Sequence, residues 1–127
     1  MDLAATIALV CSLIWGGVSP EAAVYWATEP TATERAEQWD SLAECESTSD
    51  WAINTRNGYY GGIQFHPTSW RAVGGTGLPH EWPRLEQMYR AERLFALQGA
   101  HAWPGCHLYS GKLPHWFRPL DKLAGRS

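Results

Sequence analysis

The chain has 127 residues, a formal net charge of −3, eight tryptophans and three cysteines. This length suits one small domain. The acidic balance provides no basic patch, which argues against a nucleic-acid-binding protein. Eight tryptophans are more than a core of this size needs. We therefore expect some of them to line a ligand groove, because an aromatic face buries a large apolar area at low entropic cost.

The N-terminal stretch is apolar. Residues 3–18 carry no charged side chain, which suits the core of an export signal and is short for a membrane span. No lysine or arginine precedes the stretch, Asp2 offsets the terminal amine, and no clear small-residue cleavage site follows. We predict an atypical export signal or anchor over residues 1–18, and a phage-derived protein is the alternative. Residues 19–37, rich in Ala, Thr, Glu and Pro, are predicted to form a linker or a loose helix.

A short helix with one carboxylate on its apolar face is predicted next, starting near Trp39. Helical spacing places Glu46 on the same face as Trp39, Leu42 and Ala43. A carboxylate that loses solvation has a raised pKa, so Glu46 could donate a proton near neutral pH. Glu44 points elsewhere and is predicted to be solvated. The spacing alone leaves a second interpretation open, in which Glu46 caps the next turn or pairs with an arginine.

The segment from residue 39 to residue 65 is the most distinctive part of the chain. It resembles the catalytic domain of the resuscitation-promoting factors, which are transglycosylase-like proteins of the lysozyme-like superfamily secreted by actinobacteria. Those proteins share a Trp-Asp helix ending in Cys-Glu-Ser, then Asn-Trp-Ala, a turn rich in Asn, Gly and Tyr, and a Gln-Phe strand. The matching residues here are Trp39, Asp40, Cys45, Glu46, Ser47, Trp51, Ala52, Asn54, Thr55, Asn57, Gly58, Tyr59, Tyr60, Gly61, Gly62, Gln64 and Phe65, followed by Ser69-Trp70-Arg71, Gly74-Gly75, Gln98-Gly99, Ala102-Trp103-Pro104 and Cys106.

A few positions depart from the family pattern. The tripeptide at residues 48–50, Thr-Ser-Asp, replaces Gly-Gly-Asn, and Arg56 replaces a glycine. Ile63 replaces a leucine, and His66 with Pro67 replaces a polar pair. The first three changes fall in loops near the expected cleft, where they could alter substrate binding or rate. They leave the candidate acid unchanged.

The resemblance implies a mostly helical α+β fold, a small lysozyme-like domain over residues 38–107 in which a short β-hairpin through residues 59–65 lines a cleft. It implies that Glu46 is the catalytic residue. It also implies a substrate-binding set, in which the amides bind sugar hydroxyl and acetamido groups and the tyrosines wall the site. This set is Trp51, Asn57, Tyr59, Tyr60, Gln64, Ser69 and Trp70. Core packing is an equal alternative for Trp51 and Trp70, whereas Trp39 and Trp103 are predicted to be core residues.

The cysteines fit an exported domain. The resemblance implies a disulfide between Cys45 and Cys106, which would tie the end of the first helix to the end of the domain. Closing so long a loop would contribute about 4 kcal/mol in the chain-entropy model, and small domains in oxidising compartments use such bridges. Reduced thiols are the alternative. Cys11 lies in the N-terminal apolar stretch, away from this pair.

Two further helices are predicted downstream. Pro67 begins one that ends at Gly74, and Pro83 opens another that stops at Gly99. The apolar side of the second comprises Leu85, Met88, Tyr89, Ala91, Leu94 and Phe95. Its charged residues are predicted to form an ordinary solvated face, namely Arg84, Glu86, Arg90, Glu92 and Arg93. The tail, residues 108–127, resembles nothing recognisable, and its order is left open.

No metal or cofactor is expected, because the five histidines lack ligand spacing and no cysteine pair accompanies them. A retaining glycosidase needs a second carboxylate about 5–5.5 Å from the acid, but residues 51–80 contain no Asp or Glu. The resemblance therefore implies a lytic transglycosylase. Glu46 alone would cleave the β-1,4 bond between N-acetylmuramic acid and N-acetylglucosamine and leave a 1,6-anhydro sugar.

Two other functions are compatible with the motif: a phage-encoded lysin or virion-associated wall-degrading enzyme, and a non-catalytic peptidoglycan-binding or signalling module. A muramidase that hydrolyses the same bond is a further chemical alternative. The expected partner is the glycan strand of peptidoglycan, with a wall endopeptidase as a candidate second partner and no nucleic acid. We expect a monomer that is secreted or associated with the cell wall, or that is phage-derived.

Overall fold

The computed structural model describes residues 17–99, 102–103 and 106. In this part of the chain the regular elements are four α-helices and one short 3-10 helix. They are α1 (Pro20–Thr28), α2 (Ala32–Ser47), α3 (Pro67–Ala72), the 3-10 helix (Pro79–Glu81) and α4 (Arg84–Gln98). The predicted helical character is therefore confirmed. Residues 1–16 of the predicted signal or anchor, Cys11 and the tail at residues 108–127 lie outside the described residues.

The segment predicted to be a linker or a loose helix contains the packed helix α1. The Ser19 side chain accepts a hydrogen bond from the Ala22 N–H at 3.2 Å and so caps the start of α1. Ala22, Ala23 and Trp26 are buried, and the Trp26 ring N–H donates to the Leu85 carbonyl at the start of α4 (2.8 Å). Small residues here let α1 lie close against α4, so in this stretch the helix is the alternative that the structure shows.

The core forms where α1, α2 and α4 meet. Trp39 of α2 is fully buried and makes edge-to-face contacts with Phe95 of α4 and with Trp103 (ring centroids 6.4 and 5.1 Å apart). Trp39 and Trp103 are thus core residues, as predicted. The helix that carries Trp39 extends from residue 32 to residue 47 without interruption.

Part of the charged face of α4 is interior, contrary to the prediction of a solvated face. Glu92 is 2% exposed and accepts hydrogen bonds from Arg35 (2.8 Å), Trp39 (2.7 Å) and Tyr25 (2.7 Å). Burial raises the pKa of Glu92, while the neighbouring Arg35 opposes that rise. Because a buried charge is costly unless it is paired and hydrogen-bonded, this network gives α1, α2 and α4 a defined arrangement.

A second buried ion pair, between Glu86 and Arg90 within α4, also binds the residue that caps α1. Glu86 is 1% exposed and accepts hydrogen bonds from the Ser19 N–H (2.7 Å) and from Arg90 (2.9 Å). Arg90 also donates to the Val73 carbonyl at the end of α3 (3.0 Å). Three of the residues that we expected on the surface, Glu86, Arg90 and Glu92, are therefore interior.

The region between α2 and α3 is a compact turn with isolated β-bridges, so the short hairpin expected over residues 59–65 is not confirmed. Tyr60 and Phe65 form one antiparallel bridge through two backbone hydrogen bonds of 2.9 Å, and Asn54 and Tyr60 form another. The intervening residues are turns, with Gln64 in a left-handed conformation (φ 55°) that interrupts any strand. Among the residues described, no helix is long and apolar enough to cross a membrane.

Candidate active site

Glu46 lies in the last turn of α2, immediately before the helix ends. Thr48 takes a left-handed conformation (φ 53°), and its N–H closes the helix on the Ala43 and Glu44 carbonyls. Glu46 is half-buried, and burial raises the pKa of its carboxyl group. Within residues 17–99, 102–103 and 106, no arginine or backbone N–H offsets that burial. The carboxyl group thus has the environment of a proton donor.

The residue before the acid is covalently held. Cys45 forms a disulfide with Cys106, with the two Cα atoms 5.9 Å apart. The predicted pairing is confirmed. The bridge attaches the end of α2 to the segment that follows α4, so the backbone next to Glu46 is restrained from outside its own helix.

The residue after the acid links α2 to the neighbouring turn. Ser47 is buried, and its Oγ donates a hydrogen bond to the Gly62 carbonyl at 2.7 Å. The same Oγ accepts from the Asp50 N–H (3.2 Å), which orders the loop after the helix. Glu46 and the turn at residues 61–65 are therefore connected through one short polar contact.

The turn presents a small group of amide side chains. Gln64 Nε2 donates to the Gly61 carbonyl (3.0 Å), and Asn57 Nδ2 donates to Gln64 Oε1 (3.4 Å). Asn57 Oδ1 in turn accepts from the Tyr59 N–H (3.0 Å). Asn57 and Tyr59 are exposed, and Gln64 is half-buried. The structure thus brings three of the predicted substrate-binding residues together on one surface.

A groove of about 310 Å³ opens beside this surface. It is lined by Tyr59, Gln64, Phe65, His66, Ser69, Leu94, Gln98, Ala102 and Trp103. Tyr59 is 46% exposed and packs edge-to-face with His66, which gives the groove an aromatic wall. Glu46 does not line this groove. It is linked to the groove residues through Ser47, which binds the turn at residues 61–65.

The remaining predicted residues are distributed differently. Tyr60 is half-buried and stacks on His80 (centroids 5.2 Å apart, planes 22° apart), outside the groove lining. Trp51 is half-buried, with its ring laid against the backbone of Gly62. Trp70 is fully buried, and its ring N–H donates to the Thr76 carbonyl (3.0 Å). Trp70 therefore belongs to the core, which corrects its assignment as a substrate-contacting residue.

Sequence reasoning missed Gln87, a buried polar residue that makes three hydrogen bonds to the backbone near the site. Its side chain is fully buried and bonded to the Gly62 N–H and to the carbonyls of Trp51 and Trp82. A signal was available, because Gln87 lies four residues before Ala91 and seven before Leu94, on the buried stripe of α4. A glutamine at such a position needs partners, since buried amides are hydrogen-bonded.

The site has one carboxylate in an acid-like environment. Asp50, the next acidic residue, is exposed, and its Oδ1 accepts a hydrogen bond from the Ala52 N–H (3.1 Å). Over the described part of the chain, no group of three or more His, Cys, Asp or Glu side chains is placed to hold a metal ion. The chemistry that this arrangement supports is general acid–base catalysis by a single residue.

Comparisons with known proteins identify the family to which this chain is similar. Residues 33–106 match the family described as transglycosylase-like domain. The chain is similar to the resuscitation-promoting factor Rpf of Micrococcus luteus, with 48% identity over 95 residues, which are 75% of this chain and 43% of that protein. It is also similar to RpfC of Mycobacterium tuberculosis (45% over 86 residues, 67% of this chain and 61% of that protein). A third similar protein, RpfE of the same species, shares 46% over 77 residues, 61% of this chain and 45% of that protein. The chain therefore spans about half the length of these relatives.

Proposed function

Because this chain belongs to the transglycosylase-like domain family, together with resuscitation-promoting factors such as Rpf of Micrococcus luteus, we propose that it cleaves the glycan strand of peptidoglycan. The observation that carries this proposal is the position of Glu46. A half-buried carboxyl group with a raised pKa is linked through Ser47 to the turn at residues 61–65, which carries the half-buried Gln64 next to the exposed Asn57 and Tyr59. A protonated carboxyl group in such a place can protonate a leaving oxygen.

The proposed reaction is lytic transglycosylation. Glu46 donates its proton to the oxygen of the β-1,4 bond between N-acetylmuramic acid and N-acetylglucosamine, and the bond from that oxygen to the muramyl C1 breaks. The Glu46 carboxylate then accepts the proton of the muramyl C6 hydroxyl as the C6 oxygen bonds to C1. The products are a 1,6-anhydromuramyl end and a free hydroxyl on N-acetylglucosamine, and no water is consumed.

Transglycosylation is favoured over hydrolysis by what surrounds the acid. A glycosyl-enzyme intermediate requires a second carboxylate close to the first, yet residues 51–80 contain none and Asp50 is exposed and bonded within its own loop. The C6 hydroxyl is part of the same sugar, so it attacks with the high effective concentration of an intramolecular group. A muramidase reaction on the same bond is the competing outcome.

Substrate contacts are assigned to the groove and its rim. Tyr59 offers an exposed ring on which a sugar face can stack, and Ser69 offers a hydroxyl in the same groove. Asn57 and Gln64 are proposed to bind acetamido and hydroxyl groups. Trp51 and Tyr60 are half-buried nearby, and we assign them a supporting role behind these contacts.

We also propose that the protein acts outside the cytoplasm, at the cell wall. The Cys45–Cys106 disulfide supports this, because such bridges persist in oxidising compartments. A phage-derived enzyme would use the same chemistry on the same polymer. A wall endopeptidase is a candidate partner, because cutting the peptide cross-links would expose more glycan strand to this enzyme.

Mass spectrometry of digested peptidoglycan tests the proposal. We expect muramyl ends that are one water lighter than those of a lysozyme digest. Glu46→Gln should form no such products, and Glu44→Gln, which alters an exposed carboxylate two residues earlier, should form them normally. Reducing muramyl ends would show that the enzyme hydrolyses the bond. An absence of any product from the wild-type protein would favour a non-catalytic binding module.

A further inference from the structure

We propose that Gln87 is a positioning residue that holds the turn at residues 61–65 against the end of α2, and so aligns Gln64 with Glu46. The inference rests on the proposed function, because it concerns how the acid and the substrate-binding turn are kept in register. Gln87 lies on α4 and outside the groove lining, so its influence on the reaction would be exerted through the backbone that it binds.

One buried amide joins three separate segments. Gln87 Oε1 accepts a hydrogen bond from the Gly62 N–H at 2.9 Å. Gln87 Nε2 donates to the carbonyl of Trp51, in the loop after α2, and to that of Trp82, before α4, both at 2.8 Å. The side chain is fully buried. Its acceptor and both of its donors are thus used, which defines its orientation and the spacing of the three backbone segments.

The Gly62 residue is held on both sides. Its N–H is bound by Gln87 from α4, and its carbonyl is bound by Ser47 Oγ from the end of α2 at 2.7 Å. Glu46 precedes Ser47 in the chain, and Gln64 follows Gly62 by two residues. Glu46 and the proposed sugar-binding amide are therefore connected by a short path, in which Gln87 holds the peptide before Gly62 and Ser47 holds the peptide after it.

Two glycines permit the close approach. A Cβ atom at Gly61 would lie 2.3 Å from Gln87 Oε1, and the residue has φ +81°. A Cβ atom at Gly62 would lie 2.3 Å from the Trp51 ring. The paired glycines thus let Gln87 and Trp51 press against the turn from two sides, and the spacing leaves no room for a side chain at either position.

The test variant is Gln87→Met, which keeps the length of the side chain and removes all three hydrogen bonds. Ser47 and the Trp103 ring N–H, which donates to the Ile63 carbonyl (3.0 Å), still hold the turn, so the groove should persist. With labelled soluble peptidoglycan fragments, we expect kcat to fall about 10- to 100-fold while KM changes about threefold or less. A small misplacement of the reacting groups lowers the rate of the chemical step strongly. The Gly62 amide proton should exchange with solvent faster than in the wild type.

A matched control separates positioning from general loss of stability. Tyr25→Phe removes another partly buried hydrogen bond, the 2.7 Å contact with Glu92, on the α1 side of the core. Both variants should be assayed below their melting transitions, and Tyr25→Phe should keep kcat within about twofold of the wild type. Equal losses of kcat in the two variants, or an unchanged Gly62 exchange rate in Gln87→Met, would overturn the inference.

A second variant supplies a pH signature. Gln87→Glu keeps an acceptor for the Gly62 N–H but, when ionised, faces the Trp51 and Trp82 carbonyls without a proton to donate. Protonation restores one donor, so the rate relative to wild type should rise as the pH falls. A ratio of the Gln87→Glu rate to the wild-type rate that does not change with pH would contradict the inference. If the wild type itself releases no products, the proposed function fails, and the Gly62 exchange rates still report whether Gln87 holds the turn.

Discussion

Replacing Cys45 and Cys106 together by serine tests how much the covalent bridge contributes to holding the acid. The two cysteines are separated by 61 residues, and opening a loop of that length should lower the free energy of unfolding by about 4 kcal/mol in the chain-entropy model. The total free energy of unfolding of a small domain is only about 5–15 kcal/mol. The double variant should therefore melt at a temperature lower by on the order of 20 °C.

Activity should fall with stability, because Cys45 adjoins Glu46 and the bridge restrains the end of α2. Circular dichroism melts of the double-serine variant, and of the wild type with and without reductant, measure the first effect. Release of soluble fragments from peptidoglycan, assayed well below both transitions, measures the second. A melting temperature within about 5 °C of the wild type would refute the loop-closure argument. Full activity in a destabilised variant would refute the claim that the bridge helps to aim the acid.

Three further predictions concern single residues. Burial raises the pKa of Glu46, so the protonated carboxyl group stabilises the folded wild type, and this stabilisation is lost as the pH rises through the raised pKa. Glu46→Gln should therefore melt at or above the wild-type melting temperature at pH 7. The two proteins should melt at the same temperature below the ordinary glutamate pKa of about 4.3. Gly62→Ala should lower both melting temperature and activity, because its Cβ would lie 2.3 Å from the Trp51 ring, and normal melts would contradict the observed close contact. Trp70→Ala should lower the free energy of unfolding, measured in urea, by about 3–5 kcal/mol. Tyr59→Ala should leave the free energy of unfolding nearly unchanged and raise KM. The reverse pattern would contradict the assignment of Trp70 to the core and of Tyr59 to the groove.

Much of the local structure could be predicted from short stretches of sequence. Pro67 begins α3 as expected, and Gly99, with φ +74°, ends α4 as expected. These features depend on residues within one or two turns, because proline presets φ and glycine tolerates a left-handed conformation. The place of Glu46 on an apolar helical face was recognisable in the same way, whereas its catalytic role was implied by the family resemblance. Helical spacing placed Glu46 beside Trp39 and Leu42, and the structure shows the burial that raises its pKa.

What the sequence left undecided was which surfaces meet. Trp70 and Tyr59 are both aromatic residues near the same turn, yet one is fully buried and the other is 46% exposed, because only Trp70 lies where α3 packs on the rest of the domain. Glu92 is a charged residue of the kind usually found at the surface. It is buried here because α1 and α2 pack against α4 and supply Tyr25 and Arg35 as hydrogen-bond donors. Periodicity shows the faces of one helix, whereas the environment of each side chain is decided by elements that are distant in the chain.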